Sequence, residues 1–199
     1  MNIIWHGHSC FEITGKDGTI VFDPYQANSV PGLNSLKLKA NLVLCSHEHD
    51  DHNARNCVEV APKDFKVTCI ETYHDHHQGS HRGKNTIHIV DFENLKVVHM
   101  GDIGCMMDDV SKLKNCDVLM IPIGGYYTID TKEALKYIER IQPRVVIPMH
   151  YCSHEFGYDV LSTNEEFIQK SSNIVYVDDY LEVHKETKGQ TIVFKKPRN

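Results

Sequence analysis

No two of the seven cysteines stand at CxxC spacing, and their number is odd. Neither a disulfide framework nor a thiolate zinc ribbon fits that pattern. Several lie inside apolar runs, as in Leu44-Cys45 and Thr68-Cys69-Ile70, which points to buried, reduced thiols and a cytosolic setting. No apolar stretch approaches the roughly 18–20 residues that cross a bilayer. Met1–His6 lacks the basic segment and long apolar run of an export signal, so a soluble cytoplasmic protein with no membrane partner is expected. Basic stripes are missing as well. The chain has 21 Lys and Arg against 27 Asp and Glu, a net charge of −6. Its two basic patches, Lys37–Lys39 and Lys195–Arg198, read as solvated surface. This leaves no electrostatic footprint for a nucleic acid, and a small-molecule substrate is the expected partner. There is no internal repeat, low-complexity tract or linker. At 199 residues, 41% apolar and 24% charged, the chain suits one sizeable core, hence a single domain over residues 1–199.

What is present begins with β-like runs. Ile3–Trp5, Cys10–Thr14 and Thr19–Phe22 read as short strands, the last two joined by a hairpin turn at Gly15–Gly18. Asn41–Cys45, Phe65–Glu71, Thr86–Phe92, Leu95–His99, Val118–Ile121 and Val145–Ile147 read as further strands. Three more follow near Ile174–Val177, Leu181–Val183 and Thr191–Phe194. Short helices are expected over Asp51–Val60, Met106–Lys114 and Thr163–Lys170. The clearest helix is Thr131–Ile141. Asp130 and Glu133 have capping-box spacing, Ala134, Leu135, Ile138 and Ile141 repeat at helical period, and Pro143 ends it. Strands lead and helices fall between later strands, which implies two β layers flanked by helices.

Histidine is the residue in excess, with 14 in the chain. Ser46–Asn53, SHEHDDHN, packs three histidines and three acids behind the apolar run Leu42–Cys45. A solvated turn has no use for so much imidazole. Imidazole and carboxylate together suit zinc, manganese or iron, and need no cysteine. His47 and His49 can converge where the backbone turns sharply after a strand. Asp51 and His52 are adjacent, so they point in different directions and suit a second ion better than the first. Three later positions end apolar runs and could complete two sites: His74, Asp102 and His150. Polar residues along one edge of several strands are how such scaffolds assemble a site.

This set resembles the metallo-β-lactamase superfamily, whose HxHxDH signature is matched by His47, His49, Asp51 and His52. GHSCF, VFDP, HMGDIG, IPIGGYYTID and VIPMHY are similar to blocks of its small single-domain branch, which includes ascorbate-6-phosphate lactonase-like proteins and other metal-dependent hydrolases. The matches run in order from about Gly7 to Tyr151, and residues 152–199 carry none. The resemblance implies an α/β fold, a four-layer αβ/βα sandwich. It also implies two divalent ions, one held by His47, His49 and His74 and the other by Asp51, His52 and His150, with Asp102 bridging. His76 or His77 could replace His74 if the loop slips. A hydroxide between the two ions would then attack a small ester, lactone or phosphodiester, Asp51 orienting it. A diiron redox protein or a non-enzymatic metal-binding module on the same scaffold is the alternative.

The remaining candidates are less specific. His8 is either on the substrate side of the site or a turn residue. Asp23 either orients a metal-bound histidine or caps a turn. Arg82 and Lys84 either bind an anionic substrate group or sit at an exposed hairpin tip. Of Tyr126 and Tyr127, one is expected to line the pocket and the other to lie in the core. His6 and His99 read as structural.

Overall fold

The computed structural model describes residues 1–198. In chain order its strands are β1 (Asn2–Gly7), β2 (Cys10–Gly15), β3 (Gly18–Phe22), β4 (Leu38–Ala40), β5 (Leu42–Leu44), β6 (Val58–Val60), β7 (Lys66–Tyr73), β8 (Lys84–Phe92), β9 (Leu95–His99), β10 (Val118–Pro122), β11 (Val145–Met149), β12 (Ile174–Val177), β13 (Tyr180–Glu182) and β14 (Gln190–Phe194). Two α-helices, α1 (Thr131–Ile141) and α2 (Glu165–Lys170), complete the regular structure. The strands form a five-stranded sheet, β13-β1-β2-β3-β5, and a seven-stranded sheet, β12-β14-β11-β10-β9-β8-β7. A small pair, β4-β6, stands apart.

The alternation of side chains along β1–β3 decides how these layers stack. Ile3, Trp5, Phe11, Ile13, Ile20 and Phe22 join Val90, Phe92, Val97 and Met120 of the larger sheet in one buried cluster. Cys10 and Val21, one step out of phase, turn to the opposite face and pack with Tyr25, Val30, Ala40 and Val58. The five-stranded sheet is thus buried on both sides, by the other sheet and by the loop and short strands that follow it. In the seven-stranded sheet, β10 and β11 are parallel neighbours joined through α1. Every residue of both strands is buried, as expected for parallel strands covered on each face. The expected α/β sandwich is present.

Helix α1 forms as its pattern requires. Asp130 and Glu133 close a capping box, Ala134, Tyr137 and Ile141 are buried, and Gln142 ends the helix in the left-handed region, just before Pro143. Two other helices do not form. Asp51–Val60 makes only a 3-10 turn at Arg55–Cys57 and then strand β6, because Val58 is needed in the smaller apolar cluster and pairs with Leu38. Met106–Lys114 is a chain of turns. The Tyr137 hydroxyl binds Cys105 O and accepts from Met107 N, while Arg140 donates to Met107 O and Asp108 O. Those backbone groups are satisfied from outside and do not build a helix.

The C-terminal segment is tied in by aromatics. Trp5 packs against Tyr151, Phe156 and Phe194 with ring centroids 5.7, 5.4 and 5.9 Å away. All seven cysteines are free, but of the buried thiols expected only Cys10 and Cys116 are fully buried, and Cys69 is exposed on β7. No helix among the described residues is long and apolar enough to cross a membrane.

Candidate metal centre

The site lies along one edge where strands from both large sheets end. The segment after β5 carries His47, His49, Asp51 and His52. Its shape is set by Asp23, a fully buried carboxylate just beyond β3. Asp23 accepts from Ser46 N at 2.6 Å, from Ser46 Oγ at 2.6 Å and from His52 Nδ1 at 2.9 Å. Ser46 Oγ in turn lies 2.9 Å from His47 Nδ1. Since the hydroxyl proton goes to Asp23, its oxygen accepts from His47 Nδ1–H. In its neutral form each imidazole is therefore held in the tautomer that leaves Nε2 without a proton. Those two Nε2 atoms are buried and have no hydrogen-bond partner. Burial alone would raise the Asp23 pKa, but the charges of His52 and His99 and the bond from His52 hold it well below the usual carboxylate range.

The seven-stranded sheet supplies the other side. Asp102 follows β9 through Gly101, whose φ is +54°. A Cβ there would stand 2.4 Å from Ser46 Cβ and from Asn85 Oδ1, so the close approach needs glycine. Asn85 locks the turn, accepting from Asp102 N at 2.8 Å and donating to Met100 O and Thr72 Oγ1 at 2.9 Å each. His150 follows β11 with φ 53°, and His74 follows β7. Asp102 Oδ2 is the meeting point. It lies 2.9 Å from His150 Nε2, 3.2 Å from His52 Nε2 and 3.5 Å from His74 Nε2.

The donors fall into groups whose ligand atoms lie within 4.8 Å of one another: His47, His49 and His74; His8, Asp51, His52 and His150; and His47, His52 and Asp102. All seven residues that the sequence marks as ligands are in one of these groups. His76 and His77 are not. The first is exposed and pairs with Glu133 at 2.9 Å, and the second packs against His81 with ring centroids 4.3 Å apart and planes tilted by 37°. The donor set fits divalent cations on two grounds. The free Nε2 atoms of His47 and His52 face inward. Burial would lower the pKa of His52, yet Asp102, Asp23 and Asp51 raise it well above its ordinary value. So concentrated a negative field in a buried place calls for a compensating cation. His47, by contrast, is pushed down to about 3 by burial and by His52.

Around the donors is a cavity of about 200 Å³, lined also by Arg82, Tyr127 and Tyr158. A wider cleft of about 430 Å³ opens beyond it, past Arg82, His81 and Tyr126. The Arg82 guanidinium stands over the Tyr127 ring, 4.6 Å from its centroid, and 5.8 Å from that of Tyr126. Tyr126 is 67% exposed, so the expectation that one of the pair is a core residue does not hold. Lys84 is exposed and pairs with Glu71 at 3.1 Å, at the rim of a groove that Arg82 and His49 share. His99 is structural, its Nε2 donating to Ser9 O at 2.9 Å and its Nδ1 accepting from Gly101 N, with the ring stacked on Phe22.

Four residues were not singled out from sequence. Ser46 and Asn85 position His47 and Asp102. Asp75 holds the loop between β7 and β8, accepting from the amides of His77, Gly79, His81 and Arg82 at 2.7–3.1 Å. Its pKa is about 2, because those bonds outweigh the effect of burial. Tyr158 donates to Ser29 O at 2.7 Å and lies 3.3 Å from Asp51 Oδ2. Only Asp75 had a visible signal, as the acid next to His74 before a glycine-containing loop.

A family model described as a beta-lactamase superfamily domain matches residues 2–150. A UPF0173 metal-dependent hydrolase of Thermoplasma acidophilum is 29% identical over 189 residues, covering 76% of this chain and 83% of its own. One of Staphylothermus marinus is 30% identical over 192 residues, covering 73% and 81%. A Thermotoga maritima structure described as a Zn-dependent hydrolase of the metallo-β-lactamase superfamily aligns over 97% of each chain, with TM-score 0.78 and 28% identity. A metallo hydrolase from Ignicoccus hospitalis shares the fold at 18% identity, with TM-score 0.66 over 100% of this chain and 96% of that one.

Proposed function

Since the chain belongs to the β-lactamase superfamily, whose domain it matches over residues 2–150, we propose that it is a metal-dependent hydrolase of a small ester, lactone or phosphodiester, working with two divalent ions. The observation that carries this is the meeting of His74, His52 and His150 on one oxygen of Asp102. His47, His49 and His74 would hold one ion, and Asp51, His52 and His150 the other, with Asp102 shared. Zinc, manganese or iron suits such donors, zinc first. When bound, such ions lower the pKa of water toward neutrality and polarise a carbonyl or phosphoryl oxygen.

The protein's own groups do the rest. Asp51 would orient the attacking water, and the Tyr158 hydroxyl, held by Ser29 O, lies 3.3 Å from its Oδ2. Asp23 and Ser46 keep His47 and His52 in the right tautomer. Arg82 offers a planar fork to an anionic group of the substrate, held in position by Tyr127 and by the loop that Asp75 ties. The size of the inner cavity supports a small substrate, and Arg82 supports one carrying phosphate or carboxylate. A small phosphorylated lactone or a phosphodiester fits both. The whole chain acts as one cytoplasmic domain in this reading.

Elemental analysis of protein purified without chelator or metal columns tests it first. About two zinc or manganese ions per chain, reduced by Asp102→Ala, are expected, followed by turnover of a lactone or phosphodiester in a panel at that metal loading. Two irons with visible absorbance would move the reading to redox chemistry. No metal retained, and none taken up on titration, would overturn it.

A further inference from the structure

We propose that His8 is itself a metal ligand, a fourth side chain on the ion assigned to Asp51, His52 and His150. This rests on the dinuclear reading of the site and adds a residue to it.

The backbone presents His8 with unusual care. Gly7 and His8 both have positive φ, 106° and 53°, where β1 turns into β2. A non-glycine residue in that region is strained and persists only when its surroundings impose it. Here they do. Trp5 Nε1 donates to His8 O at 3.1 Å and His150 N donates to the same oxygen at 3.3 Å. The carbonyl is pinned from two sides, and the ring is directed at the site.

The ring has one polar atom in reach, Asp51 Oδ2, and that carboxylate is itself a donor to the same ion. The His8 side chain is 0% exposed. Neither ring nitrogen has a hydrogen-bond partner. A buried imidazole left so costs stability that a phenyl ring of similar shape would not. Its neighbours are donors: the His150 and His52 ring centroids lie 4.1 and 5.2 Å away. Nε2 stands 3.3 Å from Asp51 Oδ2. Two donors about 2.1 Å from one ion are roughly 3.0 Å apart at a right angle and roughly 3.4 Å apart in a tetrahedron. The separation fits two ligands on one cation. The His8 donor also lies within 4.8 Å of those of Asp51, His52 and His150.

The two halves then differ. Counting Asp102 in each, the His8 half offers five side chains and the His47 half four. The crowded half suits a cation that accepts five or six donors, such as manganese or iron. The other suits zinc and leaves more room for substrate.

The test is a zinc titration of the full chain, labelled with ¹⁵N-histidine and freed of metal, followed through long-range ¹H–¹⁵N spectra of the imidazoles. The expected result is that one His8 nitrogen moves to the zinc-bound range along with those of His47, His49, His52, His74 and His150. If those five move and both His8 nitrogens stay, His8 is no ligand, while the dinuclear reading stands. If none moves, both fail. As a second measurement, His8→Phe fills the same space without a donor. Zinc affinity at the second step should fall at least about 10-fold, with the first unchanged. An unaltered second step would overturn the proposal even without assignments.

Discussion

Replacing His88 with leucine removes a buried ionisable ring that stands away from the metal donors. His88 lies on β8 opposite His99 of β9 and is 4% exposed, with Nδ1 unpartnered. Burial pushes its pKa from 6.5 to about 4, Asp23 acting against the shift and His99 adding to it. Between those values the unfolded chain binds a proton that the folded chain refuses. Stability from this residue is therefore fully present above pH 6.5 and is lost as the pH falls toward 4, where the loss levels off. A drop of about 2.5 units at 1.36 kcal/mol each gives about 3 kcal/mol over that window. Urea unfolding of metal-free protein at intervals from pH 7 to pH 4 reads it directly. The wild type should lose about 3 kcal/mol more than His88→Leu over that range. Donors shared by both proteins cancel in the difference. Parallel curves for the two proteins would refute the reasoning, since they would mean that His88 takes up its proton equally well when folded.

Three further outcomes are expected. Asp23→Asn keeps the shape but removes the charge and turns one of the two acceptor oxygens that fix Ser46 and His52 into a donor, so zinc affinity should fall about 10- to 100-fold in competition with a chromophoric chelator. Arg82→Ala should raise KM for anionic substrates about 10- to 100-fold, the worth of one charged hydrogen bond, with neutral esters unaffected; equal effects on both would remove Arg82 from substrate recognition. Trp5→Ala should cost about 3–5 kcal/mol in urea unfolding, because its ring joins β1 to Tyr151, Phe156 and Phe194. A loss below about 1 kcal/mol would mean that the C-terminal segment is held otherwise.

What could be read in advance was what lies close in sequence or repeats with a period. The His47–His52 cluster is contiguous, and Asp102 and His150 each end an apolar strand, so their gathering at one edge follows from strand direction alone. Helix α1 was legible because its capping box and its period agree. The segment Met106–Lys114 forms no helix because Arg140 takes the carbonyls of Met107 and Asp108 and Tyr137 the amide of Met107, from about thirty residues away, and no local pattern announces that. Asp23 was undecided for a related reason. Its three bonds depend on β3 and β5 lying side by side. Tyr158 meets Asp51 across 107 residues, in a part of the chain with no motif at all.

The donors are divided between the two large sheets. His47, His49, Asp51 and His52 follow β5 in the five-stranded sheet, whereas His74, Asp102 and His150 follow β7, β9 and β11 in the seven-stranded one. Each proposed ion therefore takes ligands from both, and acts as a rivet between two layers otherwise held by apolar contact. Folding then becomes linked to the free cation concentration: at a hundred times the dissociation constant, each ion adds about 2.7 kcal/mol to the native state. The melting temperature becomes a gauge of metal supply, and a cell short of the cation would hold a chain that is easier to unfold and degrade as well as idle.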